Sequence, residues 1–239
     1  METIKNNLGL GLIALGIVLA AIIGAVVFVQ SKAETLTVTG SAKMAVTADN
    51  AKWSFTLVRK TKFADQKSAF ALATTDAAKV KAYLIQNGIP AENIAIESSS
   101  LNADYDRQQV AGVEPDYRVG TRITVTSSDV TKIHDLSAAL SDVASLGVYL
   151  SDMSTNYFYS KLPDVRVSLS GQAIEDAKTR AQAIATASGQ RIGKLKTVSS
   201  GVVQVNAPNS VDVSDYGTYD TSTIEKDITF SVRAGFAIK

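Results

Sequence analysis

Residues 51–90 read AKWSFTLVRKTKFADQKSAFALATTDAAKVKAYLIQNGIP and contain a strand pattern followed at once by a helix pattern. Apolar side chains alternate over residues 51–60, which is typical of a strand with one buried face. Over residues 64–86 the apolar spacing changes to three and four, which predicts an amphipathic helix that ends at Asn87-Gly88 before Pro90. The predicted buried side chains are Trp53, Phe55 and Leu57 on the strand and Phe70, Ala73, Ala77, Val80 and Leu84 on the helix.

The same two patterns recur outward from this stretch. A second helix is capped by Ser128 or Asp129 and ends at Gly147, and a third helix covers residues 163–188. Gly40 predicts a kink or bulge in the first strand. Further strand patterns cover residues 36–46, 94–101, 117–126, 148–159, 194–205 and 224–238. The predicted buried residues of the second and third helices are Ile133, Leu136, Leu140 and Val143, and Ala173, Ala177, Ala181 and Ile184.

The predicted element order beyond residue 33 is β-β-α-β-β-α-β-α-β-β. Neighbouring strands joined by hairpins, with helices between the pairs, indicate an α+β fold rather than a doubly wound parallel sheet. Polar loops are expected at residues 103–116 and 206–223. Residues 34–239 are long enough for one sizeable domain or for two small, interlocked lobes.

An uncharged apolar segment precedes this domain. Leu8–Val29 reads LGLGLIALGIVLAAIIGAVVFV, and a helix of 22 residues is about 33 Å long, enough to cross a membrane. We therefore predict an N-terminal transmembrane helix at residues 8–29, within an anchor and linker of residues 1–33, with the following domain outside the cytoplasm. Ser31-Lys32-Ala33 also fits a signal-peptidase site, so a secreted protein that begins at Glu34 is the alternative.

Small residues recur every four positions in the predicted span. Gly16, Ala20 and Gly24 lie on one helical face, a small-xxx-small pattern that lets two membrane helices approach closely. These three residues are the candidate contacts between anchors of a homo-oligomer.

Composition excludes several classes of function. The chain has 239 residues, no Cys and one His, which argues against disulfides and zinc sites. Lys5, Lys32 and Glu2 precede Glu34, so the rest of the chain has 22 basic and 22 acidic residues. A neutral domain without a basic cluster is not expected to bind nucleic acid.

No side-chain pattern in the sequence predicts catalysis or a cofactor. His134 is interpreted as a surface residue because no nucleophile motif accompanies it. Phosphate-loop and dinucleotide-binding motifs are absent from the sequence. The acidic groups Asp104, Asp106 and Asp116, and Asp212, Asp215 and Asp220, lack the spacing of a calcium loop. We therefore predict no catalytic, cofactor or metal residues, while a pair of carboxylates that meet only in the fold stays open.

Residues 157–159 place three aromatic side chains in a row. In a strand Tyr157 and Tyr159 lie on one face and Phe158 on the other. Packing within the sheet is the favoured interpretation, and an exposed platform for a glycan or peptide is the alternative.

Several stretches together resemble the SIMPL domain family of bacterial envelope proteins. Thr37–Gly40 is similar to the family's opening V-x-G strand, and Leu101–Tyr105 lies where the family has an L-x-P-x-Y turn. Tyr117–Val125 is similar to its Y-R-x-x-x-x-x-x-V strand, and Ala173–Gly201 to its alanine-rich helix followed by G-x-x-L-G-x-x-x-x-V. The chain departs from the family at Ala48 and Ala103, where the family often has proline.

The resemblance implies an exported or envelope-associated α+β protein, and some relatives are periplasmic or outer-membrane antigens linked to oxidative-stress tolerance. Together with the predicted anchor, we expect a single-pass protein of the inner membrane whose domain lies in the periplasm. It supplies no catalytic residues. We expect a non-enzymatic module that binds to itself or to other envelope proteins. The alternatives are a carboxylate-based hydrolase and a domain that binds a small ligand or glycan.

Overall fold

Helices and strands of the computed structural model follow the two periodicities of the sequence. The structure describes residues 15–24, 34–104 and 115–239. The strands are β1 (Thr35–Thr47), β2 (Asn50–Thr61), β3 (Ile94–Ile96), β4 (Ser100–Ala103), β5 (Tyr117–Ser127), β6 (Tyr149–Phe158), β7 (Ile192–Asn206), β8 (Thr218–Tyr219) and β9 (Glu225–Ile238). The helices are α1 (residues 15–24), α2 (Gln66–Gln86), α3 (Val130–Ala138), α4 (Leu140–Ala144) and α5 (Leu162–Ala187).

Helix α1 is the described part of the predicted membrane span. Every residue from 15 to 24 is helical and exposed. The rest of the span from Leu8 to Val29 lies outside the described residues. Within the ranges that the structure does describe, no helix combines the length and the apolar character needed to cross a membrane.

The strands form two sheets, which confirms the mixed α+β class. One sheet has the order β1-β9-β7-β8, and the other has the order β3-β5-β2-β6 with β4 also paired to β5. Strand β2 is antiparallel to both of its neighbours, β5 and β6. The expectation of a hairpin between the first two strands is wrong, since β1 and β2 lie in different sheets. Their apolar alternation defines a buried face but does not specify a partner.

The chain divides into two compact units. The first, called here the alanine unit, takes its described residues from Met1–Ala42, Arg166–Val202 and Thr229–Lys239. The second, called here the aromatic unit, consists of Lys43–Val165 and Val203–Ile228.

The alanine unit is named after the face of α5 that is buried. The buried residues of this face are Leu169, Ala173, Ala177, Ala181 and Ala185. Ile184, predicted to be buried, is half exposed, because the buried stripe continues every four residues and reaches Ala185 instead. Gly40 lies within β1, which is assigned as one strand from Thr35 to Thr47. A Cβ atom at Gly40 would lie 2.1 Å from the Ala173 carbonyl oxygen, so the glycine allows helix and strand to touch by their backbones.

The aromatic unit has a core of large side chains. Trp53 and Phe55 of β2 are fully buried, and their ring centroids lie 4.6 Å apart. The core also contains Leu57, Val80, Leu84, Ile123, Val125, Ile133, Val143 and Tyr157. Phe70, predicted to be inward, is only partly buried, against a smaller cluster at Ala69, Ala73 and Val119. Asp129 caps α3 as predicted, since its carboxylate accepts a hydrogen bond from the Lys132 N–H at 3.0 Å.

Two predicted elements of the aromatic unit are each interrupted. The strand predicted at 94–101 is split into β3 and β4, because one extra residue is present between the pairs Ile96–Ile123 and Ser100–Gly120. Such an extra residue is a β-bulge. The second helix is broken at Ala139, whose ψ of 45° is not helical.

Candidate interaction surface

The predicted helix-packing residues lie on an exposed helix. Gly16, Ala20 and Gly24 all belong to α1. A Cβ atom added at Gly16 or Gly24 would meet nothing within 4 Å. Both glycines therefore have room on their surface for the close approach of a second helix.

His134 lies on the surface, where it contacts one buried aromatic residue. Its Nδ1 atom lies 2.9 Å from the hydroxyl oxygen of Tyr157. Burial raises the pKa of Tyr157, so the phenol stays protonated and is available as the donor of this hydrogen bond. The contact links α3 to β6 and explains the position of the histidine.

The aromatic residues 157–159 do not form a common platform. Tyr157 is buried in the core of the aromatic unit, which confirms its packing role. Phe158 packs near the ring of Tyr219 at a centroid distance of 6.3 Å. The backbone N–H of Tyr159 donates to the Tyr219 hydroxyl at 2.9 Å. These contacts join the end of β6 to β8.

The first acidic group is neutralised by basic side chains. Asp104 is buried, and its carboxylate lies 3.2 Å from Arg118 and 3.7 Å from Lys60. Asp116 pairs with Lys62 at 2.6 Å. Asp106 and Tyr105 lie outside the described residues. The described carboxylates of this group therefore form ion pairs.

The second acidic group does not converge on one point. Asp220 accepts hydrogen bonds from the backbone N–H groups of Ser222 and Thr223, while Asp212 accepts one from the Ser210 hydroxyl at 2.8 Å. Burial by itself would raise the pKa of Asp220. The hydrogen bonds from Ser222 and Thr223 outweigh this effect, so the pKa of Asp220 lies below its usual value. In the described ranges no three His, Cys, Asp or Glu side chains are grouped as metal ligands.

Lys226 is a buried charge that the sequence patterns do not predict. It is 1% exposed, and its Nζ atom donates to the carbonyl oxygens of Asp220 at 2.6 Å and Thr223 at 2.8 Å. Burial lowers the pKa of Lys226, while the Asp220 carboxylate 3.9 Å away opposes that shift. Lys226 therefore holds the end of the loop between β8 and β9. In the alternating pattern of β9, Lys226 lies on the same face as the buried residues Ile228 and Phe230. This position is the one sign in the sequence that the lysine is buried.

Strand β7 presents a long exposed segment. All residues from 194 to 200 are exposed, and they include Lys194, Leu195, Lys196 and Val198. In the described part of the chain β8 pairs with β7 only at Gln204 and Val205. Among the described residues no strand pairs with this edge of β7 before Gln204, so the edge is available to another strand. We call residues 192–200 the basic strand, because both of their charges are lysines.

The loop after β7 holds large apolar side chains in solvent. Val211 is 91%, Val213 83% and Tyr216 97% exposed. The side-chain amides of Asn206 and Gln204 donate to the backbone carbonyls of Asp212 at 2.7 Å and Ser214 at 2.6 Å. These bonds fix the loop although its apolar side chains pack against nothing. We call residues 206–217 the acidic loop, because both of their charges are aspartates.

The alanine unit also contains a groove of about 580 Å³. Its lining combines apolar side chains with two cations, and it includes Ile174, Lys178, Arg191, Leu195 and Phe236. A smaller depression of about 270 Å³ is lined by Thr39, Gly201, Ser231 and Arg233 among others. Neither lining contains a carboxylate.

Comparison with known proteins gives a family but no activity. The sequence matches the SIMPL family, described as a protein of unknown function (DUF541), over residues 36–236. A comparison with curated proteins found no match. The match covers both compact units, including β1, the alanine-rich helix α5 and most of β9. The chain therefore belongs to the SIMPL family.

Proposed function

We propose that this SIMPL protein is a membrane-anchored module of the bacterial envelope that binds further copies of itself, without catalysing a reaction. The observation that carries the proposal is the basic strand, an open strand edge whose residues 194–200 are all exposed. A long strand edge that no other strand covers is a template for pairing with another chain.

The composition of the basic strand favours a protein partner over solvent. Leu195 and Val198 are exposed apolar residues on this edge. Natural edge strands are usually protected by proline, bulges or a covering element. The two lysines are the only charges that protect this segment. Pairing with a second chain would satisfy the open backbone groups and cover the apolar side chains.

The helix α1 supports anchoring in the membrane. Its large apolar side chains are exposed around the helix, among them Leu15, Ile17, Ile22 and Ile23. An uncharged helix with apolar residues on every side is suited to lipid. Contacts between Gly16, Ala20 and Gly24 of neighbouring anchors would add to self-association.

The test of self-association is the mass of the full chain in mild detergent. Multi-angle light scattering is expected to give a mass that rises with protein concentration, after subtraction of detergent. The variant Leu195→Glu/Val198→Glu should shift the protein towards the monomer, because it removes two apolar side chains from the edge and adds negative charge there. A wild type that stays monomeric at all concentrations would overturn the proposal.

A matched control uses two exposed apolar residues of α5. Val167→Glu/Ile184→Glu changes the charge by the same amount on α5 instead of on the basic strand. This variant should associate like the wild type. Equal loss of association in both variants would show that charge alone, and not the edge, is responsible.

Anchoring is tested by extraction and by the N-terminus of the mature protein. The full chain should stay in the membrane pellet after treatment with alkaline carbonate. Release into the supernatant together with a mature protein that begins at Glu34 would replace the anchor by a cleaved signal.

A second candidate function is binding of a small anionic ligand. The groove in the alanine unit brings Lys178 and Arg191 together with apolar residues, an arrangement that suits an amphipathic anion. A ligand that raises the melting temperature of the wild type, but not of Arg191→Gln, would support this function. The carboxylate-based hydrolase remains the less favoured alternative, since neither described groove is lined by acids.

A further inference from the structure

The acidic loop and the basic strand are complementary surfaces with different chemistry. The loop carries Asp212 and Asp215 and no cation, whereas the strand carries Lys194 and Lys196 and no acid. All four side chains are exposed. Each surface also exposes apolar side chains beside its charges: Val211, Val213 and Tyr216 on the loop, and Leu195 and Val198 on the strand.

Two hydrogen bonds brace the acidic loop within its own copy. The carbonyls of Asp212 and Ser214 accept hydrogen bonds from the side chains of Asn206 and Gln204. The carbonyls of Val211 and Val213, the alternate residues, accept no hydrogen bond among the described residues. A loop that is already ordered loses little conformational entropy on binding.

We infer that the acidic loop of one copy binds the basic strand of a second copy. This inference rests on the proposed self-association and names the two surfaces that meet. Backbone groups at Val211 and Val213 would pair with the open edge of β7, as in strand addition. Asp212 and Asp215 would lie against Lys194 and Lys196, and the apolar side chains of both surfaces would be buried together.

The contact has a consequence for the type of assembly. Each copy carries one acidic loop and one basic strand. Two copies that use both surfaces reciprocally form a closed dimer, whereas copies that use them with different neighbours form a ring or a filament. The largest species in sedimentation velocity distinguishes the dimer from the larger assemblies.

Charge reversal tests the contact directly in the full chain in mild detergent. Two variants are compared with the wild type by sedimentation velocity: Lys194→Glu/Lys196→Glu and Asp212→Lys/Asp215→Lys. Each places like charges opposite one another, and we expect each to raise the concentration at half association by about tenfold or more.

Recombination of the two variants is the decisive step. In an equimolar mixture every loop again meets a strand of opposite charge, so association should return towards the wild-type value. The chain that carries all four substitutions should also associate by itself. Loss in both double variants without recovery in the mixture would overturn the pairing of these two surfaces.

Matched controls separate the contact from a general effect of charge. Lys67→Glu/Lys79→Glu and Glu92→Lys/Glu97→Lys change the charge equally at exposed positions elsewhere. Both controls should associate like the wild type. Circular dichroism reports the folding of every variant, and a salt titration of the wild type needs no substitution. Association should weaken between 50 and 500 mM NaCl, because salt screens exposed charges.

The results of these experiments separate the loop–strand contact from self-association in general. A wild type that associates while both reversed variants associate equally well overturns the loop–strand contact but leaves self-association standing. If the wild type associates equally strongly at all salt concentrations, the charged contact is also overturned, while self-association still stands. A monomeric wild type overturns both.

Discussion

The alanine unit and the aromatic unit are packed with side chains of very different size. The aromatic unit fills its interior with Trp53, Phe55 and branched residues. The alanine unit brings α5 and β1 together so closely that Ala173 and Ala177 leave no room for a side chain at Gly40. The stability of the aromatic unit is therefore sensitive to the loss of side-chain atoms, whereas the stability of the alanine unit is sensitive to the gain of a single methyl group.

Truncation in the aromatic unit should give the largest effect. Trp53→Ala removes a ring that is 1% exposed, and we expect a loss of about 3–5 kcal/mol in the free energy of unfolding. Urea unfolding followed by circular dichroism measures it. Tyr149→Ala, at an exposed site in the same unit, should change stability by less than about 0.5 kcal/mol. Similar losses in both variants would contradict the assignment of the core.

Addition in the alanine unit should give the next largest effect. Gly40→Ala places a Cβ 2.1 Å from the Ala173 carbonyl oxygen and 2.4 Å from the Ala177 nitrogen, so helix and strand must move apart. Overpacking of this kind costs about 1–3 kcal/mol or more. The control is Gly171→Ala on α5, where a Cβ meets nothing within 4 Å.

The same substitution should therefore have opposite signs at the two glycines. Gly171→Ala is expected to stabilise by about 0.5–1 kcal/mol, because alanine is the better helix former. Trp53, the only tryptophan of the chain, lies in the aromatic unit and gives a separate fluorescence signal for that unit. A stabilising effect of Gly40→Ala would refute the close approach.

Lys226 contrasts with the apolar core of the aromatic unit, since its charged side chain is 1% exposed. Lys226→Met leaves the carbonyls of Asp220 and Thr223 without their donor, at a cost of about 1–3 kcal/mol. Burial lowers the folded-state pKa of Lys226 below 10.5, so the unfolded chain binds more protons between the two values. The stability of the wild type relative to Lys226→Met should thus rise with pH in that window.

Chemical unfolding at several pH values up to 10.5 measures this difference. Lys52→Met, at an exposed position of β2, is the matched control and should show no such trend. A wild-type advantage that falls with rising pH would contradict the direction of the pKa shift.

The smallest effect is expected beside Gly40, at Asp176. Its carboxylate accepts hydrogen bonds from the Ser41 N–H and from Arg180, both at 2.8 Å. The Ser41 bond, together with Arg180, lowers the pKa of Asp176 below 3.8. The group therefore stabilises the fold above pH 3.8, and this contribution is lost as the pH falls through the folded-state pKa.

Asp176→Asn tests this contribution. The variant should be slightly less stable than the wild type at pH 7, and the two should converge in acid. Thermal unfolding at pH 7 and in acid measures the difference in melting temperature between the two proteins. Glu175→Gln, the neighbouring residue with a surface ion pair to Lys178, is the matched control. If the stability difference between wild type and Asp176→Asn persisted below the folded-state pKa of Asp176, the hydrogen bonds to Ser41 and Arg180 would not be its cause.

The sequence predicts local structure well because periodicity depends on neighbours along the chain. Alternation at Trp53, Phe55 and Leu57 identified the central strand, and the alanine spacing identified α5. The two stretches that carry the family resemblance, Thr37–Gly40 and Ala173–Gly201, meet in the structure where Gly40 touches Ala173 and Ala177. A physical contact thus explains why both motifs occur together.

Pairing between distant strands could not be predicted from the same patterns. No local signal places β9 between β1 and β7, or assigns β1 and β2 to different sheets. Lys226 was missed because a lysine in a strand usually faces solvent, and its partners are backbone carbonyls that no side-chain pattern records. The exposed tip of the acidic loop was expected only as a polar loop, since exposure of Val211 and Tyr216 depends on the fold.

The position of β9 also has a consequence for how the protein is made. Thr47 at the end of β1 bonds to Glu225 at the start of β9, 178 positions later. At about 5–20 residues per second, a ribosome needs roughly 10–35 s to synthesise the chain between them. During that time β1 has emerged without the neighbour that pairs with it in the finished sheet. The alanine unit contains Thr229–Lys239 of β9, so its sheet can be completed only after β9 has been synthesised. Until then the nascent first strand is the segment that a chaperone would have to protect.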